Sequence, residues 1–256
     1  SAGIADEYVR KYIIRKFDKD GDGEISALEA EDVKELDLSD YSLTTIDGLE
    51  AFPLEKLNLS CNALTAFDGL KFPKLTWLDL SHNQISALTT TSLSKLKLTY
   101  LDISYNDLAI SGSAYTYFPY MSLKSVNVSH NPRLSFSPYN FYYLEWLDMS
   151  YTASSSFSSS SLSNAKYINV SHTSLASKLD LSSLKKIEVL DISGTAIPEL
   201  LIGGSITSGT LTAVNLTGCS SLRILNIGEG NTLPDGILTG APEGLVIQNS
   251  WLPPRR

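Results

Sequence analysis

The segment LTWLDLSHNQI, Leu75–Ile85, decides the fold of this chain. Apolar and polar residues alternate along it, so Leu78 and Leu80 point to one side of a strand while Trp77, Asp79 and Ser81 point to the other. Near-copies flank it: VKELDLSDYSL from Val33, LEKLNLSCNAL from Leu54, LTYLDISYNDL from Leu98, LKSVNVSHNPR from Leu123 and LEWLDMSYTAS from Leu144. Looser copies follow, AKYINVSHTSL from Ala165 and IEVLDISGTAI from Ile187. Successive copies start about 21 to 25 residues apart, a period that belongs to stacked repeats. One unit cannot bury its own leucines, so each copy must pair with the next as a parallel strand, and both ends of the stack need covering.

A polar position follows each strand, held by Asn62, Asn83, Asn106 and Asn131 and then by Thr152, Thr173 and Thr195. Side chains there are expected to satisfy buried backbone groups of the turn in their own and the adjacent repeat. Beyond residue 195 the register loosens. Val214/Leu216 and Leu225/Ile227 form two strand-like pairs half a repeat apart, as does the stretch KLDLSSLKKIEVLDI, Lys178–Ile192, so one pair of each is expected on the convex side. The last copy is placed around Leu245 and Ile247, with Trp251–Pro254 sealing the end. The serine-rich run ASSSFSSSSLS, Ala153–Ser163, keeps the repeat frame and is expected to be a convex-side loop rather than a linker.

The N-terminus differs. Ile4, Tyr8, Tyr12, Ile13 and Phe17 share one face of a helix over residues 4–17. That helix enters DKDGDGEISALE, Asp18–Glu29, which carries acids at loop positions one, three, five and twelve, glycine at six and an apolar residue at eight. This is the pattern of the calcium-binding EF-hand loop. Asp18, Asp20 and Asp22 would each offer a carboxylate oxygen, Glu24 its carbonyl, Ser26 a direct or water-mediated contact and Glu29 both oxygens. Sensor EF-hands come in pairs and open a groove, whereas this loop is single and runs straight into the first repeat. Bound Ca2+ is therefore expected to act as a structural staple for the exposed edge of the stack.

The repeat motif covers roughly residues 33 to 250 and is that of leucine-rich repeats. With its helical cap the chain resembles internalin-like bacterial cell-surface proteins, especially secreted or lipid-anchored repeat proteins of gut Bacteroidetes. Dockerin modules are a weaker match, because they use two such loops. The expected fold is an α/β leucine-rich-repeat solenoid, with a curved parallel β-sheet on the concave face. Residues 1–32 would form a small helical EF-hand-like N-terminal cap and 33–256 the solenoid with its C-terminal cap. The resemblance implies a non-enzymatic, monomeric recognition protein, extracellular or displayed on a cell surface. The sequence opens at Ser1 without an initiator Met or apolar leader, which leaves room for a removed signal segment, and no run approaches the roughly 18 apolar residues of a membrane span.

Two rows of side chains line the expected concave sheet. One runs Glu35, Lys56, Trp77, Tyr100, Ser125, Trp146 and Tyr167; the other, at the far end of the strands, runs Asp40, Cys61, His82, Tyr105, His130, Tyr151 and His172. Contiguous exposed rings mark interaction sites. The candidate ligand-binding residues are therefore Trp77, Tyr100, Trp146 and Tyr167 with His82, Tyr105, His130, Tyr151 and His172. A protein ligand is the leading expectation and a glycan the alternative; the competing structural reading is that the rings simply stabilise neighbouring strands. Histidines two strands apart lie about 9–10 Å from one another, too far for one zinc ion.

Between these rows runs a polar one: Asp37, Asn58, Asp79, Asp102, Asn127, Asp148, Asn169, Asp191 and Asn215. Asp79 and Asp102 sit at a spacing that retaining glycosidases use, but Asp or Asn followed two residues later by Ser recurs in nearly every copy, as a repeat consensus does. Neither a GxSxG elbow nor a Gly-rich phosphate loop is present. Four Asn-X-Ser/Thr matches, at Asn58, Asn127, Asn169 and Asn215, are by-products of the strand motif. A net charge of −8 with scattered Lys and Arg argues against nucleic acid. Cys61 and Cys219 fall in distant repeats, too far apart for a disulfide.

Overall fold

The structure is a computed structural model that describes residues 3–110 and 114–249. One short strand recurs per repeat: β1 (Glu35–Asp37), β2 (Lys56–Asn58), β3 (Trp77–Asp79), β4 (Tyr100–Asp102), β5 (Ser125–Asn127), β6 (Trp146–Asp148) and β7 (Tyr167–Asn169). From there strands alternate between two sheets: β8 (Leu179–Asp180), β9 (Val189–Asp191), β10 (Glu199–Leu201), β11 (Ala213–Asn215), β12 (Ile224–Asn226), β13 (Leu238–Thr239) and β14 (Val246–Gln248). The concave sheet has ten parallel strands in the order β1-β2-β3-β4-β5-β6-β7-β9-β11-β13, and the second sheet has four in the order β14-β12-β10-β8. The doubling expected after residue 178 is thus real. Leu225 on β12 and Ile247 on β14 belong to the second sheet, so the last copy, around Leu245 and Ile247, ends that sheet, while the concave sheet ends at β13. A Leu-x-Ile pair reads as a strand on either face, and its partner Ile224–Asn226 decides which. Trp251–Pro254 lie outside the described residues.

The central residue of each three-residue strand in the concave sheet faces inward. Leu57, Leu78, Leu101, Val126, Leu147, Ile168 and Leu190 are all fully buried, as are Leu59, Leu80, Ile103, Val128, Met149, Val170 and Ile192 two positions on. On the returning side Phe72, Phe118, Phe136 and Phe141 fill the space between repeats, Phe118 meeting Phe136 edge-on at 5.5 Å.

The turn after each strand repeats one construction. The Asp or Asn side chain that ends the strand accepts the N–H of the residue two positions on, as in Ser81 to Asp79 at 2.8 Å and Ser104 to Asp102 at 2.9 Å. Ser81 does not stay on the open face as its position in the alternation predicts. It is 8 % exposed, because this turn folds the chain inward. Next comes a residue with a left-handed backbone, and then the ladder residue. Asn83 Nδ2 donates to Leu80 O and Ser81 O in its own repeat and to Leu59 O in the one before, while its Oδ1 accepts Leu64 N. Asn62, Asn106 and Asn131 repeat the pattern.

The threonines do less. Thr152, Thr173 and Thr195 donate to the carbonyl three residues back, within their own repeat. Expectation and structure differ here because a lone hydroxyl has only one proton to give. Two other side chains bond across repeats in this part of the stack. Ser154 Oγ, in contact with Thr152 Oγ1, accepts Phe136 N from the preceding repeat at 2.9 Å, and Cys219 Sγ donates across to Ile192 O at 3.1 Å. Two serines of the serine-rich run are therefore structural: Ser154 and Ser161 are buried, the latter accepting Asn140 N. Both cysteines are free, as their spacing requires.

Helix α1 (Glu7–Phe17) is capped by Asp6, which accepts Val9 N at 2.9 Å. Val9 and Ile13, one turn apart, are its buried residues and join Ile4, Val33 and Leu36 in the apolar core. Tyr8 is 76 % exposed, which corrects its placement on the packed face; the buried stripe runs through Val9 and Ile13, with Tyr12 and Phe17 at its edge. Helix α2 (Ala27–Ala30) starts at a capping box formed by Ser26 and Glu29. A further short helix, α3 (Gly203–Ser208), connects β10 to β11.

The unequal reach of the two ladder types predicts unequal costs. Asn131→Ala strips partners from two repeats and is expected to destabilise the fold by about 2–4 kcal/mol, against about 1 kcal/mol for Thr173→Ala. Denaturant unfolding of the two variants measures the difference; equal losses would contradict it.

Candidate functional site on the concave sheet

One-to-one register turns sequence positions into columns. Glu35, Lys56, Trp77, Tyr100, Ser125, Trp146, Tyr167 and Val189 lie side by side across eight strands. Within this column Trp77 stacks on Tyr100 at 4.7 Å with planes 6° apart, and Trp146 stacks on Tyr167 at 4.8 Å with planes 5° apart. All four rings are half-buried. Ser125 separates the two pairs.

The second column lies just past the strands, in the turn. Asp40, Cys61, His82, Tyr105, His130, Tyr151 and His172 all have φ between 51° and 61°, and Gly194 and Gly218 continue the series at 66° and 74°. Such a backbone turns the side chain away from the core, and it costs a non-glycine residue energy. The cost is offset by contact with neighbours. His82, Tyr105, His130, Tyr151 and His172 form one continuous stack with successive centroids 4.1, 4.0, 4.4 and 4.4 Å apart. Gly194 ends it: with no side chain there, the last imidazole leans over the glycine, where a Cβ would stand 2.6 Å from His172 Nδ1. Sequence reasoning grouped these residues correctly but placed them at the strand end. The left-handed conformation leaves no mark in residue type when the position holds His or Tyr.

Electrostatics follow burial. His130 sits mid-stack, and desolvation lowers its pKa against the opposing pull of Asp148, with His82 and His172 adding to the decrease. Desolvation followed by Asp102 and Asp79 pushes the Tyr100 phenol up to about 12. Asp79 is raised too, chiefly by burial. The polar row between the columns is internally paired. Asn127 donates to Asp102 Oδ2 at 2.9 Å, Asn169 to Asp148 at 3.0 Å and Asn215 to Asp191 at 2.9 Å. These carboxylates hold their own turns and their neighbours.

At the N-terminus, one ligand oxygen from each of Asp18, Asp20 and Asp22 lies within 4.8 Å of the others. Asp18 accepts Gly21 N and Gly23 N, and Gly23 has φ +83°, the sharp bend its position calls for. Glu29 is 6 % exposed and points back to the loop, accepting Lys19 N at 2.6 Å and Ser26 N at 2.9 Å. Those hydrogen bonds, rather than burial, hold its carboxyl at about 2. Ser26 Oγ donates to the same carboxylate and also accepts Glu29 N, and the Glu24 N–H donates to Asp22. Lys19 pairs with Asp32 across the base of the loop. One oxygen from each of the three aspartates is thus gathered in the loop, while Glu29 closes the loop and completes the capping box of α2 with Ser26.

The class these features define is a leucine-rich-repeat solenoid. Residues 52–108 match the family model described as Leucine rich repeat. An internalin of Listeria monocytogenes is similar in structure, with TM-score 0.58 and 19% identity over 88% of this chain and 83% of that one. Internalin C2 of the same organism gives TM-score 0.58 and 18% identity over 88% and 94%. A leucine-rich-repeat protein of Leptospira interrogans gives 0.56 and 17% over 89% and 70%. No curated protein sequence matches. The resemblance to internalin-like repeat proteins therefore holds at the level of fold. Among the described residues no helix is long and apolar enough to cross a membrane.

Because its folded pKa lies below the ordinary value of 6.5, His130 resists protonation in the folded state. Its contribution to stability is therefore present above pH 6.5 and is lost as pH falls through the depressed folded value. An NMR titration is expected to place its midpoint below 6.5. Replacement by Gln should flatten the matching part of the melting temperature against pH; an unchanged profile would remove His130 as its source.

Proposed function

We propose that this chain is a non-catalytic recognition protein whose concave sheet binds a protein ligand. The observation that carries this is the ordered aromatic surface: five stacked rings in the turn column and two stacked pairs in the column on the adjoining strands of the parallel sheet. Rigid aromatics lose little conformational entropy on binding and serve as anchors at protein interfaces. A glycan reading is less favoured, since a sugar stacks on a free ring face and most of these faces are already occupied by neighbouring rings. The rings offer edges and hydroxyls instead, which suits a polar protein surface. Catalysis lacks support because the turn geometry that recurs from repeat to repeat already engages Asp79, Asp102, Asp148 and Asp191 of the polar row.

We further propose that Asp18, Asp20 and Asp22, with Glu24, Ser26 and Glu29, hold Ca2+ and that the ion fastens the cap, residues 1–32, over the first strand of the solenoid. The gathered aspartates are the right donor type for a hard cation, whose oxygen ligands lie at about 2.3–2.6 Å. Low-affinity loops of this kind suit extracellular calcium, in keeping with a secreted or surface-displayed, lipid-anchored protein. A monomer fits a solenoid whose edge is covered by its own cap.

Two measurements test these readings. Trp77→Ala/Trp146→Ala and the parent protein, screened in calcium buffer against protein and glycan arrays, should share a protein hit that the folded variant loses; equal binding by both would move the working surface elsewhere. Chelation at neutral pH should lower the melting temperature by several degrees, about what linkage gives for roughly 2–3 kcal/mol of binding, and Asp20→Ala should be insensitive to chelator. A melting temperature unchanged by chelator would end the staple idea.

A further inference from the structure

The first aromatic column has a missing tooth. Trp77 and Tyr100 stack, Trp146 and Tyr167 stack, and the strand between them contributes only Ser125 at that position. The turn column, by contrast, runs unbroken across the same strands because His130 fills the place there. Neighbouring strands are about 4.8 Å apart, so the inward faces of Tyr100 and Trp146 stand about 9–10 Å from one another across Ser125. That is one ring too far for contact. It is close to the spacing at which a single planar group, inserted between them, would touch both.

The floor of this slot is polar and acidic. Asn127 follows Ser125 on the same face, with Asp102 and Asp148 beside it on the flanking strands. Asp102 Oδ1 is engaged by Ser104 and its Oδ2 by Asn127, while Asp148 Oδ1 holds Ser150 and its Oδ2 takes Asn169. A carboxylate oxygen can accept two donors, so each Oδ1 is filled by its serine while each Oδ2, bonded to an asparagine, can take another. In the columns of this sheet from β3 to β9, the residues Trp77, Tyr100, Ser125, Trp146, Tyr167 and Val189 and the polar row beside them include no Lys or Arg. The chain as a whole carries a net charge of −8.

Planarity, two ring faces and a carboxylate floor select one guest. A neutral aromatic ring or a pyranose would fill the gap but leave the negative charge beneath it unanswered. A Lys ammonium would answer the charge without using the ring faces, being compact and strongly hydrated. A guanidinium does both: it stacks on aromatic faces and donates through a planar fork to carboxylates. We propose that the gap at Ser125 is a binding slot for an arginine side chain of the protein ligand, sandwiched between Tyr100 and Trp146 and hydrogen-bonded towards Asp102 and Asp148. This deepens the proposed function and rests on its assignment of the concave face.

The test uses the full chain, isotope-labelled, titrated with Nα-acetyl-arginine methylamide and with the corresponding citrulline, lysine and phenylalanine derivatives and methyl glucoside. Arginine should produce saturable shifts of the Trp146 indole N–H and the Ser125 amide. Citrulline, its neutral isostere, should bind roughly tenfold more weakly or worse. Ser125→Tyr completes the ladder, so it should abolish the arginine shifts without lowering the melting temperature, and Asp148→Asn should weaken them with Trp146 packing intact. Arginine shifts that do not saturate, equal binding by citrulline, phenylalanine or the glucoside, or binding retained in a folded Ser125→Tyr variant would each overturn the slot. The array screen separates this from the parent reading. If Ser125→Tyr keeps a protein hit that Trp77→Ala/Trp146→Ala loses, the slot falls and the concave face stands; if neither variant loses it, both fall.

Discussion

Every turn of this solenoid buries backbone N–H and C=O groups between two repeats, where water cannot reach them, and the whole stack depends on pairing those groups. The ladder residue does this. Each asparagine has two donor hydrogens and an acceptor oxygen, and Asn83, Asn106 and Asn131 use them to tie three carbonyls and one amide across two repeats. Among the described residues, no buried side-chain nitrogen or oxygen lacks a partner. Where threonine takes the ladder position it donates within its own repeat, and Ser154 and the next ladder residue, Cys219, carry side-chain bonds across repeats. The substitution changes which atoms do the pairing and leaves the geometry of the stack alone.

The candidate binding surface follows from that geometry. A turn that delivers an asparagine inward must reverse direction just before it, and it does so through a residue with positive φ whose side chain is thrown outward. Stacked repeats then place nine such residues in line, from Asp40 to Gly218. Spacing close to that of parallel strands brings adjacent rings into van der Waals contact, so a residue held in a costly backbone conformation also becomes one unit of an aromatic stack. Contact between neighbours and display to solvent are not competing readings of these rings. Their faces stabilise the stack while their edges remain available, with Tyr105 46 % and Tyr151 44 % exposed.

The N-terminal end solves a different problem. The first strand of a parallel stack has an unpaired edge and an uncovered apolar layer. Val9, Ile13 and Ile4 extend the core past Val33, and the Asp18–Glu29 loop turns the chain from α1 into β1 within a few residues. Glu29 links the two halves of that turn through Lys19 N and Ser26 N, so the loop has a hydrogen-bonded framework of its own on which carboxylates are gathered.

How much of this was legible in the sequence depended on the range of the interaction involved. Leu78 and Leu80 announced the strand, the recurrence of their motif announced the stack, and its register grouped Trp77 with Tyr100 and His82 with Tyr105, because strand alternation and repeat length are local and periodic. Asp18, Asp20, Asp22 and Gly23 were equally readable, their chemistry lying within one loop. Tertiary structure alone decided the rest. It assigned Ile247 to the second sheet through its partner Leu225, turned Tyr8 outward in favour of Val9, and made Ser154 and Cys219 the side chains that bond across repeats where Thr152 and Thr195 donate within their own. Each of those outcomes rests on which neighbouring repeat supplies an unsatisfied group or an apolar surface, and that is fixed only once the repeats are stacked.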